Sequence, residues 1–250
     1  MPRRVLLHIG THKTGTTSIQ QFLQDHNDDL LADAGAWYPP GFFLPSLHAD
    51  LPLLTIRTER TWPARVRFPE TQDENWQAAA RAHVRRQVES ASQELLVYSH
   101  EDLSYLRFDD ELARLRDLFV DSVVQVVVCL RDKATFLRSY SEQLVASGFA
   151  LTDDQESFAY VEADSWLADY DALVAGYRRC FGDGNVEVID YEASVGIDGS
   201  VIPTIAERIG IPRSALPALD HYFLNRTGMQ LRPSDEQVGA IRKRLSEQTR

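Results

Sequence analysis

The segment HIGTHKTGTTS at residues 8–18 concentrates groups that bind anions. It holds Gly10 and Gly15, four threonine hydroxyls and Lys13, directly after the apolar run Val5-Leu6-Leu7. A glycine-rich loop between a strand and a helix offers backbone N–H groups and the positive end of a helix dipole to phosphate. In the common ATP-binding loop the lysine follows the second glycine. Here Thr16 and Thr17 follow Gly15, and Lys13 stands two residues ahead of it. An ordinary strand-to-helix turn capped by threonine could use the same hydroxyls. The coincidence of glycines, hydroxyls and lysine favours phosphate, because lysine otherwise occurs only at 133 and 243.

Three further places carry chemistry. Arg131-Asp132 follows a β-prone run, with Arg138 and Ser139 on the next helix, and a strand-end arginine with a serine two turns on can clasp a second phosphate. Ser99-His100-Glu101 brings two candidate bases side by side, and Tyr191-Glu192 ends a later strand. Period-two alternation sends His100 and Glu101 to opposite faces, so one of them meets the ligand. Each also has a structural reading, Glu101 as a helix cap and His100 as a satisfied buried side chain. His48 lies in PSLHADL and suits either substrate contact or the surface, whereas His8, inside the first strand, reads as core.

Alternating strands and helices must position these groups. Strands are expected at 5–10, 36–38, 95–98, 123–130 and 186–191. Helices are expected at 16–34, 76–92, 110–119, 133–147, most of 156–180, 201–209 and 235–248. The pattern predicts one α/β domain over 1–250, a P-loop-like parallel sheet with helices on both faces. Residues 39–75, rich in proline, aromatics and arginine without a clear period, read as an irregular segment on the substrate side. In such a sheet, ligands bind where strands end and helices begin, so the four polar strand ends should converge.

The net charge of −11 argues against nucleic acid or anionic membrane as a general partner and confines any anion site to a local pocket. Arginines at 57–67 and 81–86 could meet an anionic acceptor but read better as a solvated face. Cys129 and Cys180 lack metal-ligand spacing and suit reduced thiols, pointing to a cytoplasmic protein. No run is long and apolar enough for a signal peptide or a membrane span. A homo-oligomer is left open.

These residues resemble sulfotransferases that use 3′-phosphoadenosine-5′-phosphosulfate (PAPS). LHIGTHKTGTTSIQ is similar to the family's 5′-phosphosulfate loop, whose lysine precedes GT[ST]. VVVCLRDKATFLRSYSEQL resembles its 3′-phosphate motif, with a serine eight residues after the arginine. DYDALVAGYRRCFGDGNVEVIDYE resembles the helix–glycine–strand–Tyr-Glu segment that follows, and LLVYSHEDLS the strand that ends in the base.

The resemblance implies roles. Lys13, Gly15, Thr16 and Thr17, with Thr14 and Ser18 of the same loop, would hold the phosphosulfate. Arg131 and Ser139 would hold the 3′-phosphate, and Tyr191 would lie near adenine. Many cytosolic members carry a tryptophan where this chain has Ser18. Arg226, in Asn225-Arg226-Thr227-Gly228, is a loose match to a C-terminal 3′-phosphate loop. Carbohydrate-type and bacterial members use glutamate as base, which favours Glu101; aryl and steroid enzymes use histidine, which keeps His100 as rival. The implied reaction carries a sulfuryl group to a hydroxyl or amine of a small-molecule, lipid or carbohydrate acceptor, with Lys13 at the leaving oxygen and no metal required. The competing readings are a P-loop kinase or NTPase, which calls for a lysine after Gly15 and a magnesium-binding aspartate, and an inactive nucleotide-binding protein of the same fold.

Overall fold

In the computed structural model, residues 2–222 and Lys243 are described. The elements run β1 (Arg3–His8), α1 (Thr16–Asp25), β2 (Ala36–Trp37), α2 (Asp50–Thr55), α3 (Pro63–Arg67), α4 (Glu74–Ser90), β3 (Leu95–Ser99), α5 (Asp109–Asp117) and β4 (Ser122–Leu130). They continue with α6 (Lys133–Ala146), α7 (Tyr170–Phe181), β5 (Val186–Asp190), α8 (Tyr191–Asp198) and α9 (Ile202–Ile209). The five strands pair in parallel in the order β2-β3-β1-β4-β5.

The central strands are apolar on both sides because both faces are covered. Alternation sorts their side chains. Val5, Leu7, Leu96, Tyr98, Val124, Val126 and Val128 enter one core, with Trp62, Trp76, Ala80 and Val84. Leu6, Leu95, Val97, Val127 and Cys129 enter the other, against Ile19, Phe22 and Leu23 of α1 and Ile202, Ile205 and Ile209 of α9. Each such large side chain contributes roughly 1.5–3 kcal/mol on burial. No helix among the described residues is long and apolar enough to cross a membrane.

Three expectations need correction. Residues 39–75 are not irregular: they hold α2, α3 and a 3₁₀ turn at Pro69–Gln72. Leu51, Leu53, Leu54, Ile56, Trp62 and Phe68 of this segment are buried in the first core. Helices of five or six residues are too short to show a 3.6-residue period. The helix expected at 16–34 stops at Asp25 and passes into a π-helical turn at Asn27–Leu31. There the Asn27 amide accepts from Tyr38 N at 2.7 Å and donates to Tyr38 O at 3.0 Å, which ties the bulge to the end of β2. Of 156–180, only Tyr170–Phe181 is α-helical, because Asp169 caps α7 by accepting from Ala172 N at 3.1 Å. The expected helix at 235–248, apart from Lys243, and the Asn225–Gly228 loop with Arg226 lie outside the described residues.

Candidate active site

The sheet order makes β1 central, with β3 and β4 on its two sides, so the three C-terminal ends adjoin. Chain geometry continues the β1–β4 ladder into the loop: Ile9 N donates to Val127 O at 3.0 Å and Thr11 N to Cys129 O at 3.1 Å. The loop then turns through two left-handed residues, Lys13 (φ 68°) and Gly15 (φ 76°). Gly10 must be glycine, since a Cβ there would lie 2.7 Å from Thr14 Oγ1 and 3.0 Å from His8 Nε2. Thr14 Oγ1 donates to Thr11 O at 2.6 Å and closes the turn.

Gly15 is the N-cap of α1, and no side chain caps its first-turn amides. Thr16 Oγ1 is buried without a protein partner. A Cβ on Gly15 would meet Val201 Cγ1 at 3.1 Å and Tyr191 Cε2 at 3.8 Å, so Val201 and Tyr191 floor the cradle. Thr17 is exposed and Ser18 half-buried. Burial pulls the half-buried Lys13 ammonium below its ordinary range; Glu142 opposes this and Arg131 adds to it. The residues fit a phosphate-bearing group: uncapped amides, an unpartnered hydroxyl and a lysine with no ion pair among the described residues.

Arg131, at the end of β4, joins this loop directly. Its Nη1 donates to Lys13 O at 2.9 Å, its Nε lies 3.6 Å from Glu192 Oε1, and its guanidinium lies 5.2 Å from the Tyr191 ring centre. Asp132 caps α6, accepting from Thr135 N at 2.8 Å, and its own N–H donates to Glu192 at 3.1 Å. Ser139 is half-buried on α6.

At the end of β3, Ser99 Oγ lies 2.8 Å from His8 Nδ1. Gln20, on α1, donates to Ser99 O and to Glu101 Oε2, each at 3.3 Å. The helix that opens at the Lys13 loop therefore also holds the Glu101 carboxylate. The cap of the following 3₁₀ turn, Glu101–Tyr105, is His100, whose Nδ1 accepts from Asp102 N at 3.1 Å. That leaves the half-buried Glu101 carboxylate free of a capping duty.

Not every candidate reaches the site. His48 is buried, with Nε2 donating to Pro39 O at 2.7 Å and Nδ1 accepting from Ser99 N at 3.0 Å. Both ring nitrogens are engaged, so the substrate contact considered for it is replaced by a structural pin; burial holds it neutral, its pKa pushed down to about 3. His8 is core, as expected, its pKa lowered by burial to about 4. The arginines of 57–67 are largely not a solvated face. Arg60 pairs with buried Glu111 at 2.8 Å, and Arg65 donates to the carbonyls of Ile56, Arg57 and Arg60.

Sequence reading missed His12 and Asp102. His12 Nε2 lies 3.0 Å from Asp102 Oδ1, and both are buried. The two are 90 positions apart, and only the β1–β3 pairing brings them together. Among the described residues, no group of three or more His, Cys, Asp or Glu is placed to hold a metal ion.

No family model matches the chain, and no curated protein matches it in sequence. Solved structures match in fold. A sulfotransferase from Alicyclobacillus acidocaldarius superposes with a TM-score of 0.57 at 18% identity, over 99% of this chain and 96% of that one. The sulfotransferase domain from the curacin biosynthetic pathway gives 0.49 at 12% identity, over 98% of each chain. At these identities the first likeness speaks to architecture, and the chain has the P-loop-like α/β fold of a sulfotransferase structure.

Proposed function

We propose that the chain is a single-domain, cytoplasmic, PAPS-dependent sulfotransferase acting on a hydroxyl, or an amine, of a small-molecule, lipid or carbohydrate acceptor. One observation carries the reading. The strained Lys13 loop, Arg131 and Glu101 meet at adjoining strand ends, with Arg131 donating to the Lys13 carbonyl and α1 linking the loop to Glu101.

The bound donor supplies a sulfuryl group already activated by its phosphate leaving group. The α1 amides, Thr16 and Thr17, with Thr14, Gly15 and Ser18 of the same loop, hold the 5′ side. Lys13 supplies positive charge where negative charge develops on the leaving oxygen, the kind of electrostatic help that dominates such transfers. Arg131 and Ser139 hold the 3′-phosphate, the guanidinium by paired N–H donors; Tyr191 lies beside the adenine, and Arg226 is a further candidate for the 3′ side. Glu101 takes the acceptor proton on its carboxylate, which Gln20 orients. His100 is the weaker base, because its Nδ1 already accepts from Asp102 N.

Calorimetry tests the nucleotide reading. Adenosine 3′,5′-bisphosphate should bind tightly and ATP poorly; the opposite order sinks it and favours a kinase or NTPase. Glu101→Gln should abolish transfer while keeping bisphosphate affinity. If His100→Ala alone has that effect, the base moves by one residue.

A further inference from the structure

Lys13 has a left-handed backbone (φ 68°), a conformation that costs a side-chain-bearing residue energy and persists only where the surroundings over-determine it. Arg131 holds the Lys13 carbonyl at 2.9 Å, and the Thr14 hydroxyl closes the turn on Thr11 O. The remaining constraint comes from the residue before the lysine. The His12 ring lies between Tyr105 and Tyr140, at centroid distances of 5.1 and 5.0 Å, and those two hydroxyls are 2.5 Å apart. Its Nε2 lies 3.0 Å from Asp102 Oδ1, an ion-pair distance without hydrogen-bond alignment, and Asp102 Oδ2 lies 3.9 Å from His100 Nδ1.

The residue preceding the candidate leaving-group lysine is thus paired with the residue following the candidate base. We propose that His12 and Asp102 form a positioning latch, which holds Lys13 in its left-handed conformation and fixes the donor loop against the turn that carries Glu101. The pair acts through Lys13; it is not itself assigned to the chemistry. A buried pair of this kind suits registry, since breaking it leaves a polar partner uncompensated in the interior. Its consequence for rate rests on the sulfuryl-transfer reading above; its consequence for loop order does not.

Two measurements on the full chain separate these. In the ligand-free protein, hydrogen–deuterium exchange of peptides spanning residues 10–18 should quicken about tenfold or more in His12→Ala and Asp102→Asn. His12→Gln, whose amide can donate to Asp102, should restore much of the protection. Release of adenosine 3′,5′-bisphosphate from PAPS, with water as acceptor in single turnover, gives the second readout. His12→Ala should slow it about ten- to a hundredfold in the lysine protein, but less than about threefold when Lys13 is already alanine, because interactions within one unit are not additive.

Equal losses in both backgrounds would overturn the latch, as would unchanged loop exchange in both single variants. If the wild-type protein releases no bisphosphate to water, the exchange data alone judge the latch, and the sulfotransferase reading is judged by the bisphosphate calorimetry above. Should His12→Ala not fold, the near-isosteric Asp102→Asn carries both measurements.

Discussion

Arg60 and Lys13 are both half-buried cations, but the molecule treats them differently. Arg60 donates to both oxygens of Glu111 at 2.8 Å, and the same carboxylate accepts from the backbone of Arg57 and Arg107. Nearby, Asp110 takes Arg57 at 2.6 Å and Arg114 at 2.9 Å. Lys13, in contrast, makes no ion pair among the described residues, and its backbone carbonyl, not its ammonium, is what Arg131 engages. A cation matched to a buried carboxylate braces the fold. Among the described residues Lys13 has no such carboxylate within ion-pair distance, and it sits on a loop whose first-turn amides no side chain caps, in a chain of net charge −11.

The comparison can be broken from either side. The largest effect is expected at Glu111→Gln, which leaves Arg60 buried against a neutral amide and should cost about 3–5 kcal/mol in chemical denaturation. The bisphosphate affinity of the folded protein should be unchanged. Lys13→Ala should do the reverse, slowing sulfuryl transfer by about two to three orders of magnitude while changing stability by less than about 1 kcal/mol. Comparable stability losses in the two variants would erase the distinction between brace and site.

Acid probes both regions at once, through His8 beneath the loop and His48 in the 39–75 segment. Burial lowers their pKa values to about 4 and about 3. The unfolded chain, titrating near 6.5, binds these protons first as pH falls, so stability is complete above 6.5 and declines below it. At pH 5 the loss should reach about 2 kcal/mol per histidine. Buried Asp50, whose carboxyl is raised by burial, acts in the opposite sense. Denaturation at pH 7 and 5 in wild type, His8→Asn and His48→Asn checks this; a slope unaltered by both substitutions refutes it. The smallest effect is expected at Gly15→Ala. A positive φ and Val201 at 3.1 Å should cost about 1–2 kcal/mol, with weaker bisphosphate binding in calorimetry.

Much of the architecture was legible in the linear chain because it depends on short-range patterns. Val123–Leu130 could be little other than a strand, and it is buried on both faces from Val126 to Cys129; Gly10 and Gly15 mark the loop where side chains do not fit. The segment 39–75 is illegible in sequence because its helices are too short for periodicity, and its arginines read as a solvated face because their partners, Asp110 and Glu111, lie about fifty positions away. The helix expected over most of 156–180 begins only at Tyr170, because Ser165 caps a separate 3₁₀ turn and Asp169 caps α7. His48 was ambiguous in sequence, and two hydrogen bonds resolve it as a pin.

Residue types and their spacing suffice for the parallel α/β class, the strand–loop–helix placement of Lys13 and the convergence of that loop with Arg131. They rest on backbone propensity, alternation and hydrogen-bonding capacity, all local properties. Which carboxylate is held by Gln20, and that His12 faces Asp102, depend on β3 flanking β1. Those contacts join segments tens of residues apart, and burial and charge compensation there are properties of the packed interior that no neighbouring residue encodes.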